Sequence, residues 1–211
     1  MTHKIPVLAK TDVKTSIRNA LSAGMSYEKF RKLVTDLTAQ NGTTGPEQTA
    51  AYIQYTRLND QRMRRWDKTL KLSEEEKLQI QTFNKKVYWL VITESWCGDA
   101  APSLPVMNKV AQLTDGIDLR IVLRNEQPAL MDAFLTNGKM SIPKLIMVDK
   151  TSLDVLGTWG PLPAKATEMA TDFREQHGAL TPAFKESLQQ WFNLDKGRNI
   201  LEGLLQLLAL K

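Results

Sequence analysis

Cysteine is nearly missing from this chain: 211 residues contain one, Cys97. A single thiol cannot close a disulfide within the chain, so the covalent staple of small secreted domains is excluded and a reducing, cytoplasmic setting is expected. Histidine is almost as scarce, with only His3 and His177. A His/Cys zinc centre therefore lacks ligands, and no metal or other cofactor is implied. A Cys–His catalytic pair would depend on His177 alone. No apolar run approaches the roughly 18 residues that a membrane-spanning helix needs. The opening MTHKIPVLAK is too short and too mixed for a secretory signal.

Charge of one sign is also in short supply. Lys and Arg number 28 against 23 Asp and Glu, so 28 − 23 = +5. The excess is dispersed except at Arg62, Arg64 and Arg65. A nucleic-acid surface calls for a stronger basic stripe with interleaved aromatics, so this cluster reads as a solvated helix face. Neither nucleic acid nor membrane is an expected partner.

What is present is an ordinary globular composition, 42% hydrophobic and 24% charged, long enough for one sizeable domain with a helical extension. Ile17, Leu21, Met25, Phe30, Leu33, Val34 and Leu37 recur at helical spacing, with a break at Gly24-Met25-Ser26 where Ser26 can open a second helix. Asn41 to Pro46 is a loop, and a long helix is expected from about Pro46 to Leu70. Ser73 followed by three Glu is a strong helix start. The character changes at Val87 to Thr93, a continuous apolar and β-branched run that predicts a strand buried on both faces. A helix over Asp99 to Leu113 follows, then a strand over Ile117 to Leu123. A short helix from Pro128 to Leu135 ends at Asn137-Gly138. Strands over Lys144 to Val148 and Leu153 to Thr158 flank a turn, and helices run from Pro163 onward.

The resulting order is β-α-β-α-β-β-α. It predicts one right-handed parallel pair and one antiparallel hairpin in a mixed sheet covered by helices. Three parts are expected: a helical N-terminal extension over 1–84, a core over 85–165, and C-terminal helices over 166–211 packed on that core. The leucine-rich stretch from Ile200 to Leu210 is too short to span a bilayer. It either docks on its own domain or forms a homodimer contact.

The chemistry concentrates where the first strand meets its helix, at Glu94-Ser95-Trp96-Cys97-Gly98-Asp99-Ala100. Unpaired N–H groups at a helix start favour negative charge, and the thiolate is the nucleophilic form of cysteine. This placement is expected to depress the Cys97 thiol pKa. Asp99 opposes it by like-charge repulsion, unless its carboxylate serves as a helix cap instead. A buried, inert cysteine is the alternative.

Trp96-Cys97-Gly98-Asp99-Ala100 resembles the thioredoxin motif Trp-Cys-Gly-x-Cys, and the element order is that of the thioredoxin fold. Ser141-Ile142-Pro143-Lys144 stands where that family carries a cis-proline facing the cysteine. The resemblance implies an α/β thioredoxin fold with a four-stranded mixed sheet and helical additions at both ends. It implies Cys97 as the nucleophile, framed by Trp96 and Gly98. Ile142 and Pro143 would shape the substrate site, with the Ile142 backbone pairing to an extended peptide. Trp159 would line the groove or else close the core, and Arg124 ends its strand either near the site or in solvent. The chain departs from the pattern at Ala100, which replaces the resolving cysteine, and at Val91, where the family buries an acid. These changes leave a monothiol oxidoreductase, resolved by an external thiol and acting on a protein disulfide or a low-molecular-weight thiol. The alternative is a redox-inactive binding module that keeps the fold.

Overall fold

The computed structural model describes residues 10–210. The readings made on His3 and on the residues before Lys10 lie outside this range. At the centre is a mixed sheet of β1 (Val87–Thr93), β2 (Ile117–Leu123), β3 (Lys144–Asp149) and β4 (Val155–Trp159), in the order β2-β1-β3-β4. β1 runs parallel to β2 and antiparallel to β3, and β3 runs antiparallel to β4. β1 therefore has a strand on either side and helices on both faces, which explains its unbroken apolar run. Trp89, Leu90, Val91 and Ile92 are fully buried.

The two edges of the sheet differ. Beyond β2, Met25 exchanges two backbone hydrogen bonds of 2.9 Å with Ile121, so the junction of the first two helices blocks that edge. β4 is the outer strand on the other side, and its Val155 and Leu156 stay exposed. β4 starts two residues later than the periodicity predicts. Asp149 Oδ1 accepts the N–H groups of Thr151 and Ser152, and Leu153 takes a left-handed φ of 57°, so the turn extends through Asp154.

The segment before the sheet is helical: α1 (Lys10–Ala23), α2 (Tyr27–Ala39), α3 (Ala50–Thr69) and α4 (Glu74–Gln81). Each of the last three starts at a hydroxyl cap. Ser26 accepts from the Lys29 N–H, Thr49 from the Tyr52 N–H, and Ser73 forms a reciprocal capping box with Glu76. Within the core lie α5 (Ala100–Ala111) and the short α6 (Pro128–Ala133). Asn137-Gly138 does not cap α6. With φ values of 50° and 73° it forms the tip of a small bridge between Thr136 and Lys139.

After the sheet come α7 (Ala164–His177), α8 (Pro182–Asp195) and α9 (Arg198–Leu207). Ile200, Leu201 and Leu204 of α9 are buried in the same apolar cluster as Ile17, Phe30, Met63, Leu104 and Phe192. The leucine-rich segment thus docks on its own chain. Both helical additions share one core with the sheet, and α3 and α9 lie against α5. No helix among the described residues is long and apolar enough to cross a membrane.

Candidate functional site

The loop between β1 and α5 is held from behind by a buried polar cluster. Ser95 donates its N–H to Thr44 Oγ1 at 2.8 Å, and its Oγ accepts the Thr44 N–H at 3.0 Å. The same Oγ lies 2.8 Å from the Thr56 hydroxyl and 3.1 Å from that of Thr43. Asn59 on α3 donates to the Ser95 carbonyl at 3.0 Å. Glu94 Oε1 accepts the Asn125 N–H at 2.9 Å. Buried polar groups without partners are costly, so the interlocked hydroxyls and amides specify one loop conformation, while Glu94 Oε2 is left buried without a partner among the described residues. The cluster's members come from the 41–46 loop, α3, the loop after β1 and the turn after β2, and no local pattern in the sequence links them.

The cluster fixes Cys97 directly after Trp96 and ahead of α5. Cys97 is 6% exposed. Its Sγ–H donates to the carbonyl of Ile142 at 3.2 Å. The Ile142–Pro143 peptide bond is cis, as the family resemblance implies. Residues 45 positions apart in sequence therefore meet, and Cys97, Ile142 and Pro143 come together. Gly160 completes this corner. Its φ is 103°, and a Cβ placed there would collide with the Pro143 carbonyl oxygen.

The electrostatics differ from the helix-start expectation. The amides of Ala100 and Asp99 and the Thr93 hydroxyl do pull the thiol pKa down. Burial pushes it up more strongly, and the Asp99 charge adds to that, so the thiol is pushed up to about 12. Burial wins because a thiolate covered by protein loses its hydration. Asp99 itself is pushed up to about 6, by burial first, against the pull of Lys185 and Arg62. It makes no side-chain capping bond; its carbonyl accepts instead from the Ser103 hydroxyl at 2.8 Å. Of the two roles open to Asp99, the capping one is not formed.

Trp96 is half-buried and carries two partners. Tyr52 of α3 stacks on it with ring centroids 4.6 Å apart at 11°. The Arg124 guanidinium lies 4.9 Å from its centroid and donates to the Met140 carbonyl at 3.4 Å. Arg124 is therefore no solvated strand end, because it bridges the Trp96 loop to the loop before Pro143. Tyr52 escapes sequence reasoning, since its helical spacing reads only as one more apolar position. Gly98 is half-buried beside Arg62, whose guanidinium also reaches the Asn59 side chain. The arginine cluster divides accordingly. Arg62 faces Asp99 and Gly98, Arg64 pairs with the buried Asp60 at 2.7 Å, and Arg65 stays exposed.

Trp159 does not join this constellation. It is 8% exposed and packs against Gly203 of α9, so it closes the core. The indole fills the space that a side chain at position 203 would need. Val91 and Ala100 are both buried and apolar, so neither an acid nor a second thiol stands behind Cys97. Among the described residues no three His, Cys, Asp or Glu side chains converge to hold a metal.

Comparison with known proteins agrees with this architecture. The structure is similar to the crystal structure of an HIV epitope-scaffold, at 14% identity and a TM-score of 0.63, over 91% of this chain and 96% of that one. It is also similar to a Pseudomonas aeruginosa protein of unknown function, at 16% identity and a TM-score of 0.60, over 90% and 93%. At such identities the likeness is one of fold. No curated protein matches the sequence. A family model described as thioredoxin matches residues 45–174, from the loop ahead of α3 through most of α7, and the chain belongs to that thioredoxin family.

Proposed function

We propose that this protein carries out thiol–disulfide exchange by a monothiol route through Cys97, in a reducing, cytoplasmic setting. The observation that carries this reading is the 3.2 Å contact between the single thiol and the Ile142 carbonyl. The family resemblance makes that backbone the docking edge for an extended peptide. A substrate paired there would displace the thiol from the carbonyl and bring its own sulfur to Sγ. Trp96 and Gly98 frame the nucleophile, while Ile142 and Pro143 shape the docking edge.

The chemistry balances with external thiols. Sγ loses its proton to solvent, and the thiolate attacks one sulfur of R–S–S–R′. A Cys97–S–S–R bond forms and R′S⁻ leaves, taking up a proton. Ala100 offers no second thiol. An external thiol R″SH therefore attacks the R sulfur, releasing Cys97 and leaving R–S–S–R″. A second R″SH completes the reduction to RSH and R″–S–S–R″, so two external thiols supply both electrons. The substrate class is a protein disulfide or the disulfide of a low-molecular-weight thiol.

A redox-inactive binding module is the second reading. The covered thiol, pushed up to about 12, favours it, together with Ala100 and Val91. Mass spectrometry of native protein incubated with a peptide disulfide at neutral pH separates the two. Exchange requires a Cys97 adduct that an added thiol clears and that Cys97→Ser abolishes. If native protein forms no adduct while urea-unfolded protein does, exchange is ruled out. Partner capture that survives Cys97→Ser then marks a binding module.

A further inference from the structure

One cleft lies away from Cys97, on the side of α5 where the two helical additions meet. Its volume is about 950 Å³. The end of α3, the connection to α4 and the turn between α8 and α9 enclose it. Trp66, Leu70 and Leu201 give it an apolar floor. Gly197 makes the wall possible. Its φ is 80°, and a Cβ there would stand 3.2 Å from Trp66 and 3.0 Å from Val106. A side chain there would strain the left-handed backbone and crowd both neighbours.

The rim is strongly basic. Arg65, Lys68, Lys71, Lys196 and Arg198 all line the cleft. All five are exposed, and among the described residues none forms an ion pair. The one carboxylate on the lining is Glu76, and it is engaged with the Ser73 N–H at 2.6 Å in the capping box of α4. Five cations converging on one concavity repel one another, and Glu76 is the one carboxylate on the lining that offsets them. Three separate segments bring these five side chains together.

We infer that this cleft binds a small polyanion, a ligand with two or more phosphate groups joined to a compact apolar or planar body. The volume falls within the roughly 300–1,000 Å³ of small-molecule sites. Arginine and lysine together suit phosphate oxygens, the guanidinium as a fork and the ammonium as a point charge. The floor around Trp66 would receive the apolar part. The lining comes from the two helical additions alone, and only their meeting creates the cleft. The inference is independent of the chemistry of Cys97. α3 passes both sites, however, with Arg62 beside Gly98 and Trp66 one helical turn further along.

The test is calorimetric titration of the full-length protein with ATP and with inorganic pyrophosphate, at about 0.15 M salt so that diffuse attraction is screened. ATP is expected to bind with one-to-one stoichiometry, with pyrophosphate weaker because it leaves the apolar floor empty. The double variant Lys71→Glu/Arg198→Glu should weaken both by about tenfold or more, since two attractive contacts become repulsive. Both positions are exposed, and Glu in the first turn of α9 suits the helix dipole, so the variant should fold. The pair Lys68→Glu/Lys196→Glu serves as an independent second variant. Lys29→Glu on the exposed side of α2 should leave binding unchanged. Three results would overturn the inference: no binding of either probe below about 1 mM, ATP binding unaffected by either double variant, or binding of a poly-glutamate peptide without ATP or pyrophosphate.

Discussion

The protonation state of Cys97 gives the sharpest check on how the fold controls its thiol. Burial first, and the Asp99 charge second, move the thiol from its ordinary 9.0 to about 12. At any pH well below 9 the native thiolate population is therefore about a thousandfold smaller than in unfolded chain, since each pKa unit is a factor of ten. Maleimide labelling of native protein at neutral pH should be slower than that of urea-unfolded protein by at least that factor. The rate should still be climbing at pH 10. The linkage to stability has a definite sign. Between 9 and 12 the folded state holds a proton that the unfolded state has lost, so stability present below 9 is lost as pH rises toward 12. Three units correspond to about 4 kcal/mol, an order-of-magnitude figure, seen as falling urea midpoints in alkaline buffer and absent from Cys97→Ser. Asp99→Asn removes the second cause but not the first. The thiol should move down yet stay above 9. Asp99 is itself raised from 3.8 to about 6, so its stabilising contribution is present below about 4 and lost as pH rises through 6. The Asn variant should therefore gain about 3 kcal/mol at pH 7.5 and little at pH 4. A native labelling rate that reaches its plateau between pH 7 and 8 would refute this account of the site, because it would mean that the helix-start amides outweigh burial.

Two further outcomes test the scaffold around the thiol. Ser95→Ala removes an acceptor from the buried Thr44 N–H and breaks its hydroxyl bonds with Thr43 and Thr56, for a loss of about 1–3 kcal/mol in urea unfolding. Because the same cluster holds the Trp96–Cys97 loop, labelling of the thiol should also accelerate. Gly160→Ala places a Cβ into the Pro143 carbonyl at a φ of 103°. It should cost about 3 kcal/mol or more, with a folded, equally stable variant being the contrary result.

Much of the architecture was legible along the chain because it depends on near neighbours. The apolar run from Val87 to Thr93 predicts an inner strand, and the structure places strands on both of its sides. Ser26 and Ser73 act as caps, since capping is settled within three residues. Asn137-Gly138 was misread for the opposite reason. The pair suits a helix end and a tight turn equally, and only the Thr136–Lys139 bridge distinguishes them. Arg124 was equally ambiguous, because a charged strand end looks solvated until an indole from another loop lies under it.

By itself, then, the order of residues determined the element types, the mixed sheet and the single sulfur ahead of a helix. Each follows from periodicity, capping chemistry or a count, and these act over a few residues. Tertiary structure alone decided the charge state of that sulfur, the fate of Trp159 and the gathering of five cations around one cleft. Those depend on desolvation and on Coulomb terms between groups far apart in sequence, which take a sign and a size only once folding sets the distances.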